Sequence, residues 1–168
     1  MKTTLNHRFG SLFSNLSNLD ASRVVIPHVV NNAGVWQGAF CRELSKKWPI
    51  ELAERSPEYQ YQRWVAGQVD VLPFGLGRIL SVETPEGVLV LCMVAEKGVK
   101  SSENGNPLKY AALVDCFRQV TGCLRTLAGL GEPLREVHTD CSHWGGNLAA
   151  VLMEESWVDN GLSVTLYS

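Results

Sequence analysis

The order of apolar and polar positions along the chain predicts alternating strands and helices. A β-branched run over residues 23–30 is typical of a strand buried on both faces, and it ends in turn-forming residues at 31–34. From Phe40 onwards, apolar residues recur every four positions and predict a helix that Pro49 ends. The remaining predicted elements are helices over 51–68, 110–128 and 147–158 and strands over 76–82, 88–95, 134–139 and 162–167.

This alternation predicts a single α/β domain over residues 1–168, with a mixed sheet packed between helices. In such folds ligands bind beyond the carboxyl ends of the strands, where loops lead into helices. Three predicted loops, at residues 31–39, 96–106 and 140–147, have that position. They are rich in Gly, Asn and Ser, which allow the backbone to approach a phosphate or a sugar closely.

Composition excludes several classes of protein. The 168 residues are 45 % apolar and 19 % charged, which is inconsistent with a disordered chain. The formal net charge is -2 and no basic cluster stands out, which argues against nucleic-acid binding by phosphate neutralisation. No apolar run approaches the roughly 18 residues that cross a bilayer, so we expect no membrane partner. The start of the chain lacks the apolar block of a secretory signal, and we therefore expect a cytoplasmic protein.

Cysteine and histidine were weighed as ligands of a metal. The odd number of cysteines, at irregular spacings, favours buried thiols over a disulfide framework in a cytoplasmic chain. They are Cys41, Cys92, Cys116, Cys123 and Cys141. His138, Cys141 and His143 have side chains that bind zinc, but a fourth ligand is not evident, so we predict no metal site.

Two stretches of the chain form recognisable motifs. The first is IPHVVNNAGVWQGAF over residues 26–40, continued by LSKKWP over 44–49. It resembles the opening motif of macrodomains, which are modules that bind ADP-ribose. It is most similar to the subgroup of ADP-ribose 1″-phosphate phosphatases and terminal ADP-ribose glycohydrolases. The second is MVAEKG over 93–98, followed by PLKYAAL over 107–113, which is similar to a buried strand, a polar loop and a helix start of the same family.

The resemblance implies a three-layer α/β/α fold that binds ADP-ribose or a derivative and hydrolyses it without a cofactor. Substrates would be ADP-ribose 1″-phosphate or an ADP-ribosylated protein or nucleic acid. The expected catalytic residues are Glu96, Lys97, Asp140 and His143. The expected ligand-binding residues are His28, Asn31, Asn32, Gly34, Trp36, Gly38, Phe40, Ser142, Gly145, Gly146 and Asn147.

Each binding residue also has an ordinary structural interpretation. The Asn31 carboxamide can donate to and accept from ribose hydroxyls, or it can satisfy the backbone of its own turn. If it holds ribose, Asn31→Ala should weaken ADP-ribose binding at least tenfold, about 1.4 kcal/mol. The glycines would let loop amides approach a diphosphate, but they are also common turn residues. His28 is a core histidine or a ligand contact, and the aromatic side chains either stack on the ligand or pack in the core. The aromatic residues in question are Trp36, Phe40 and Tyr110.

The expected catalytic groups are charged or titratable side chains at the ends of strands. Glu96 and Lys97 would act as a base and as an electrostatic stabiliser, or they form a surface ion pair. In the glycohydrolase branch a lysine attacks the anomeric carbon, and Lys97 lies one position beyond the place that matches it. Asp140 and His143 would direct water near a bound phosphate.

Three departures from the family pattern bear on activity. Ser11 stands where the family has an Asp that recognises adenine, and Glu96 stands where a Gln is common. The phosphate-binding loop is shortened to residues 139–147, and Trp144 replaces the catalytic Asp of the glycohydrolase branch. Two alternatives to hydrolysis therefore stay open: a non-catalytic module that binds ADP-ribose or a related nucleotide signal, and a remodelled macrodomain whose pocket contacts another protein.

Overall fold

The computed structural model describes residues 5–70, 72–140, 144 and 147–168. The strands are β1 (Leu5–Arg8), β2 (Val24–Asn31), β3 (Ile79–Glu83), β4 (Leu89–Glu96), β5 (Glu136–Thr139) and β6 (Val164–Tyr167). The helices are α1 (Leu12–Asn15), α2 (Ala39–Lys47), α3 (Pro57–Val65), α4 (Tyr110–Gly129) and α5 (Asn147–Ser156). Short 3-10 turns lie at Leu16–Asn18, Ala21–Arg23, Ile50–Arg55 and Val158–Asn160. None of the helices in these ranges is long and apolar enough to cross a membrane.

The strands form one mixed sheet in the order β1-β6-β5-β2-β4-β3. All neighbours pair in parallel except β3, which runs antiparallel to β4 after a tight turn. Helices α4 and α5 pack on one face, and α1, α2 and α3 pack on the other. The predicted α/β class, three layers and mixed sheet are therefore confirmed. Because five strands are parallel, their carboxyl ends meet at one edge of the sheet.

The central strands β2 and β4 are buried on both faces because they are almost entirely apolar. Their register pairs His28 with Cys92, and a β-bulge after Val30 brings Asn31 opposite Glu96. Hence the polar residues that end both strands emerge at the same edge. On one face, the Phe117 and Trp157 rings pack with centroids 4.2 Å apart and anchor α4 against the end of α5.

One predicted helix is divided in the structure, and two short elements were not predicted. The single helix expected over 51–68 is a 3-10 segment followed by α3, because Ala53 has φ 50° and Pro57 starts a new helix. Ser56 caps that helix by accepting a hydrogen bond from the Tyr59 amide at 3.3 Å. Strand β1 and helix α1 were not predicted, since both are only four residues long and β1 is mostly exposed.

Candidate ligand-binding site

A cavity of about 930 Å³ lies at the carboxyl edge of the sheet. Its walls come from residues 10–13 after β1, residues 37–41 at the start of α2, residues 105–108 before α4, and the ends of β2, β4 and β5. This volume falls within the range of roughly 300–1,000 Å³ that is usual for small-molecule sites. The cavity is at the edge where the sequence predicts a ligand.

The turn after β2 uses the Asn31 carboxamide for its own structure. Its Nδ2 donates to the Val35 carbonyl at 2.7 Å, and its Oδ1 accepts from the Ala33 and Val35 amides at 3.1 Å. The Tyr61 hydroxyl donates to the Asn31 carbonyl at 2.8 Å, and Asn31 is only 4 % exposed. The geometry thus differs from the expected ribose contact: the hydrogen-bonding groups are engaged by the turn, and Asn31 is not among the described residues of the cavity wall.

The next three predicted contacts are also engaged by the protein, and none of them belongs to the described cavity wall. The Asn32 Oδ1 accepts from the Gly98 amide at 2.8 Å and ties the loop after β2 to the loop after β4. The Trp36 indole donates to the Ser45 hydroxyl at 2.9 Å. Gly34 has φ +79°, and a Cβ there would lie 2.7 Å from Val65 Cγ1, so α3 packs too closely for any side chain. These residues shape the segment that leads to α2.

The first turn of α2 faces the cavity. Gly38 has φ 101° and precedes the helix without a side-chain capping hydrogen bond, and residues 37–41 all belong to the wall. The first intrahelical bond runs from the Arg42 amide to the Gly38 carbonyl at 3.1 Å, so the amides of residues 39–41 have no carbonyl partner within the helix. The first turn carries no acidic residue. Free amides and the positive end of the helix dipole favour an anion here.

His28 lies at the floor of the cavity as a neutral ring. It is 2 % exposed, its Nε2 lies 3.1 Å from Cys92 Sγ, and the Phe40 ring stacks on it with centroids 5.6 Å apart. Burial lowers the pKa of His28 to about 3 and raises the pKa of the Cys92 thiol well above its usual value. The Nδ1 atom has no hydrogen-bond partner among the described residues. That nitrogen is itself buried, so the neutral ring contributes packing at the cavity wall.

Charged side chains of the wall come from several elements. Glu96 ends β4, Asp140 follows β5, Lys100 lies in the loop after β4, and Glu43 lies one turn into α2, 3.8 Å from Lys46. The expected catalytic residues Glu96 and Asp140 thus share one cavity. Lys97 is exposed and does not belong to the described wall, where Lys100 supplies the cation instead.

Lys100, Glu43 and Gly10 line the cavity but were not predicted from the sequence. Lys100 lies in the polar loop over residues 96–106 that is predicted to bind a ligand. Its position four residues after Glu96 in that loop could have indicated it as a wall residue. Glu43 lies four positions after Ala39, so it projects from the same face of α2 as the exposed first turn.

No family model matches the sequence, and the search of curated proteins found no match. Solved structures do match over nearly the whole chain. A protein of unknown function from Bacteroides thetaiotaomicron is 26 % identical, with a TM-score of 0.75 and 98 % of each chain covered. A macrodomain protein from Streptomyces coelicolor is 23 % identical, with a TM-score of 0.75, covering 98 % of this chain and 99 % of that one.

Thermosipho africanus DarTG, solved in complex with ADP-ribose, is 12 % identical with a TM-score of 0.64, covering 96 % of this chain and 41 % of that one. The chain has the macrodomain fold. The subgroup suggested by the sequence motifs remains a prediction.

The loop before α5 differs from the macrodomain pattern at Trp144. Its ring is 4 % exposed and packs against Phe117 with centroids 6.0 Å apart, so the position that carries an Asp in the glycohydrolase branch is part of the core here. Asn147 begins α5 and is not part of the described wall. The predicted contacts Ser142, His143, Gly145 and Gly146, together with Cys141, lie outside the described residues.

Three further residues that the sequence analysis singles out have contacts within the protein. Ser11 belongs to the wall, but its hydroxyl accepts from the Phe13 amide at 3.1 Å and caps α1. His138, weighed as a zinc ligand, has its Nδ1 2.9 Å from the Tyr167 hydroxyl and does not belong to the described wall. Tyr110 is half-buried against the core on the α4 side.

Proposed function

We propose that this protein binds ADP-ribose or a derivative in the cavity, with the diphosphate at the N-terminus of α2. The main support is that Gly38 and residues 39–41, whose amides have no carbonyl partner within α2, belong to the wall of a cavity of about 930 Å³ at the carboxyl edge of a macrodomain fold. The ADP-ribose complex of Thermosipho africanus DarTG, which has the same fold, supports this ligand. Gly145 and Gly146 before α5 are a second proposed source of amides.

We do not assign the ribose contact to the Asn31 carboxamide, because its donor and acceptor already bond to the backbone of the turn. The cavity wall includes Glu96 and Asp140, whose carboxylates are acceptors for ribose hydroxyl groups. Phe40, which is half-buried and stacks on His28, also belongs to this wall and is the proposed aromatic contact of the ligand.

We further propose that the protein hydrolyses its ligand. Glu96 or Asp140 accepts a proton from water, the water oxygen bonds to the anomeric carbon or to a 1″-phosphorus atom, and the leaving group departs with a proton. Positioning and stabilisation of the diphosphate at α2 supply the remaining assistance, and no metal is needed for these steps. We keep His143 as a proposed group that directs water, because it lies three positions after Asp140 in the sequence.

Binding is tested by calorimetric titration of the full chain with ADP-ribose, with AMP and ribose 5-phosphate as partial ligands. We expect saturable one-to-one binding of ADP-ribose and weaker binding of either half, since both halves and the diphosphate contribute contacts. Absence of ADP-ribose binding would remove the proposed function and would favour a cavity used for contact with another protein.

Turnover separates hydrolysis from the second candidate, a non-catalytic ADP-ribose module. The burial of Trp144 favours this second candidate, because no carboxylate stands at the position used by the glycohydrolase branch. We expect product release from ADP-ribose 1″-phosphate or from an ADP-ribosylated macromolecule, and loss of that release in Glu96→Gln or Asp140→Asn. Tight binding without product from any of these substrates would establish the module instead.

A further inference from the structure

The loop that connects β4 to α4 supplies part of the cavity wall. The wall residues in the middle of this loop are Lys100, Gly105 and Asn106. The Lys97 amide donates to the Pro107 carbonyl at 2.8 Å, which closes the base of the loop. The Asn32 Oδ1 accepts from the Gly98 amide at 2.8 Å and ties the loop to the connection after β2. The start of the loop is therefore fixed to two neighbouring segments.

Within the loop, Asn104 holds the chain on both sides of Lys100. Before Lys100, the Asn104 Nδ2 donates to the carbonyls of Lys97 and Val99, at 2.9 and 3.2 Å. After Lys100, the Ser101 amide donates to the Asn104 carbonyl at 3.0 Å, and the Ser101 hydroxyl accepts from the Asn104 amide at 3.1 Å. The backbone of Lys100 is thus ordered before any ligand binds, so that less conformational entropy is lost on binding.

Lys100 is the only cation among the described residues of the wall. The wall also includes three carboxylates, those of Glu43, Glu96 and Asp140. No described residue forms an ion pair or a hydrogen bond with the Lys100 ammonium. The ammonium is therefore available to a ligand. Because the carboxylates repel an anion, the binding of an anionic ligand depends more strongly on this one positive charge.

We propose that Lys100 binds the diphosphate of ADP-ribose and that Asn104 is the positioning residue that keeps Lys100 at the cavity. This inference rests on the proposed function and adds to it the residue that supplies the opposite charge. An ammonium group forms charge-assisted hydrogen bonds with phosphate oxygens, which are stronger than neutral ones. The amides of residues 39–41, in the same wall, add neutral donors to the same diphosphate.

The role of Lys100 is tested by calorimetric titration of the full chain with ADP-ribose at low and high salt. Lys100→Met keeps the length of the side chain and removes its charge, so we expect about a tenfold loss of affinity and a weaker dependence on salt. Lys100→Arg keeps the charge, and its affinity should stay within about threefold of the wild type. Lys109→Met is the matched control, because Lys109 is exposed at the end of the same loop and lies outside the described wall. It should leave the affinity and its salt dependence unchanged.

The role of Asn104 is tested by a double-mutant cycle with Lys100. Asn104→Ala removes two side-chain hydrogen bonds of the loop, and we expect it to lower ADP-ribose affinity by about threefold, because Lys100 then samples more positions. If Asn104 acts through Lys100, the double variant Asn104→Ala, Lys100→Met should bind as tightly as Lys100→Met alone. Losses that multiply in the double variant would overturn the positioning role.

The outcomes separate this inference from the proposed function. If the wild type binds ADP-ribose and Lys100→Met binds it equally tightly, the role of Lys100 is wrong while the ADP-ribose site stands. An equal loss in Lys109→Met would also overturn it, because the effect would then come from the net charge of the protein. Lys100 is exposed, so its substitution should leave urea denaturation unchanged. Absence of ADP-ribose binding to the wild type would remove the proposed function and this inference with it.

Discussion

Residues 31–36 and residues 37–41 belong to one connection between β2 and α2, yet their polar groups have different partners. In the first half, the Asn31 carboxamide bonds to the backbone of its own turn, the Asn32 oxygen accepts from the Gly98 amide in the loop after β4, and Gly34 lies against Val65. In the second half, Gly38 has nothing within 4 Å of its Cβ position, and the first turn of α2 opens into the cavity. A polar, Gly-rich motif at a strand end can therefore contain residues that hold the loop together as well as residues that face a ligand. The hydrogen-bond partners of each residue in the structure distinguish the two groups.

The largest expected effect is a loss of stability on substitution of Asn31, which tests whether residues 31–36 hold the loop together. Asn31→Ala removes three hydrogen bonds of the turn, and we expect the free energy of unfolding to fall by about 3 kcal/mol, at about 1 kcal/mol each. Urea denaturation measures it. If the Asn31→Ala protein keeps its stability and its ADP-ribose affinity falls tenfold, Asn31 contacts the ligand after all.

A steric effect is expected at Gly34. Gly34→Ala places a methyl group 2.7 Å from Val65 Cγ1 at φ +79°, and we expect a loss of about 2–3 kcal/mol from overpacking and backbone strain. Adding Val65→Ala should recover the overpacking part in a double-mutant cycle. ADP-ribose affinity should stay the same in both variants. A lowered affinity at unchanged stability would show that Gly34 faces the ligand.

The matched substitution at Gly38 should act on binding. Gly38→Ala has the same backbone problem, with φ +101°, but no steric neighbour, so we expect a stability loss of about 1 kcal/mol. Because the strain shifts the first amides of α2, ADP-ribose affinity should fall about tenfold, measured by calorimetry. Equal affinities for Gly34→Ala and Gly38→Ala would contradict the division between the two halves.

A further effect concerns pH and His28, whose ring stacks on Phe40 in the second half. Burial lowers the pKa of His28 from 6.5 to about 3, so the unfolded chain binds a proton between these values and the folded protein does not. Stability should therefore fall as pH drops below 6.5, by up to about 1.4 kcal/mol per pH unit from this group. Urea denaturation from pH 7 to 4 should show a flatter profile for His28→Gln. His7→Gln, at an exposed position of β1, should keep the wild-type slope.

Much of the fold was predictable because buried strands and helices need apolar residues at regular spacings in the sequence. The β-branched run of β2, the paired strands β3 and β4, and the long apolar face of α4 were placed within a few residues. Strand β1 was missed because an exposed four-residue edge strand carries no such pattern. The break at Ala53 was missed because a positive φ at a non-glycine residue reflects tertiary packing, not local preference.

The candidate site was predictable only in part. Gly38, Phe40, Glu96 and Asp140 do line one cavity, since they follow strands whose carboxyl ends share an edge. The roles expected for Asn31, Asn32, Gly34 and Trp36 have no such support, because their partners are distant in sequence or hidden in backbone geometry. Lys97 and Lys100 differ by three positions, and the path of one loop decides which reaches the wall.

The order of helices and strands, the carboxyl edge as the place for a ligand, and the motif that resembles macrodomains follow from residue types and their spacing alone. Which polar groups remain open to a ligand was decided by the tertiary structure. A carboxamide or an amide has the same chemistry wherever it stands, and only the packed neighbours determine whether its hydrogen bonds are already made inside the protein.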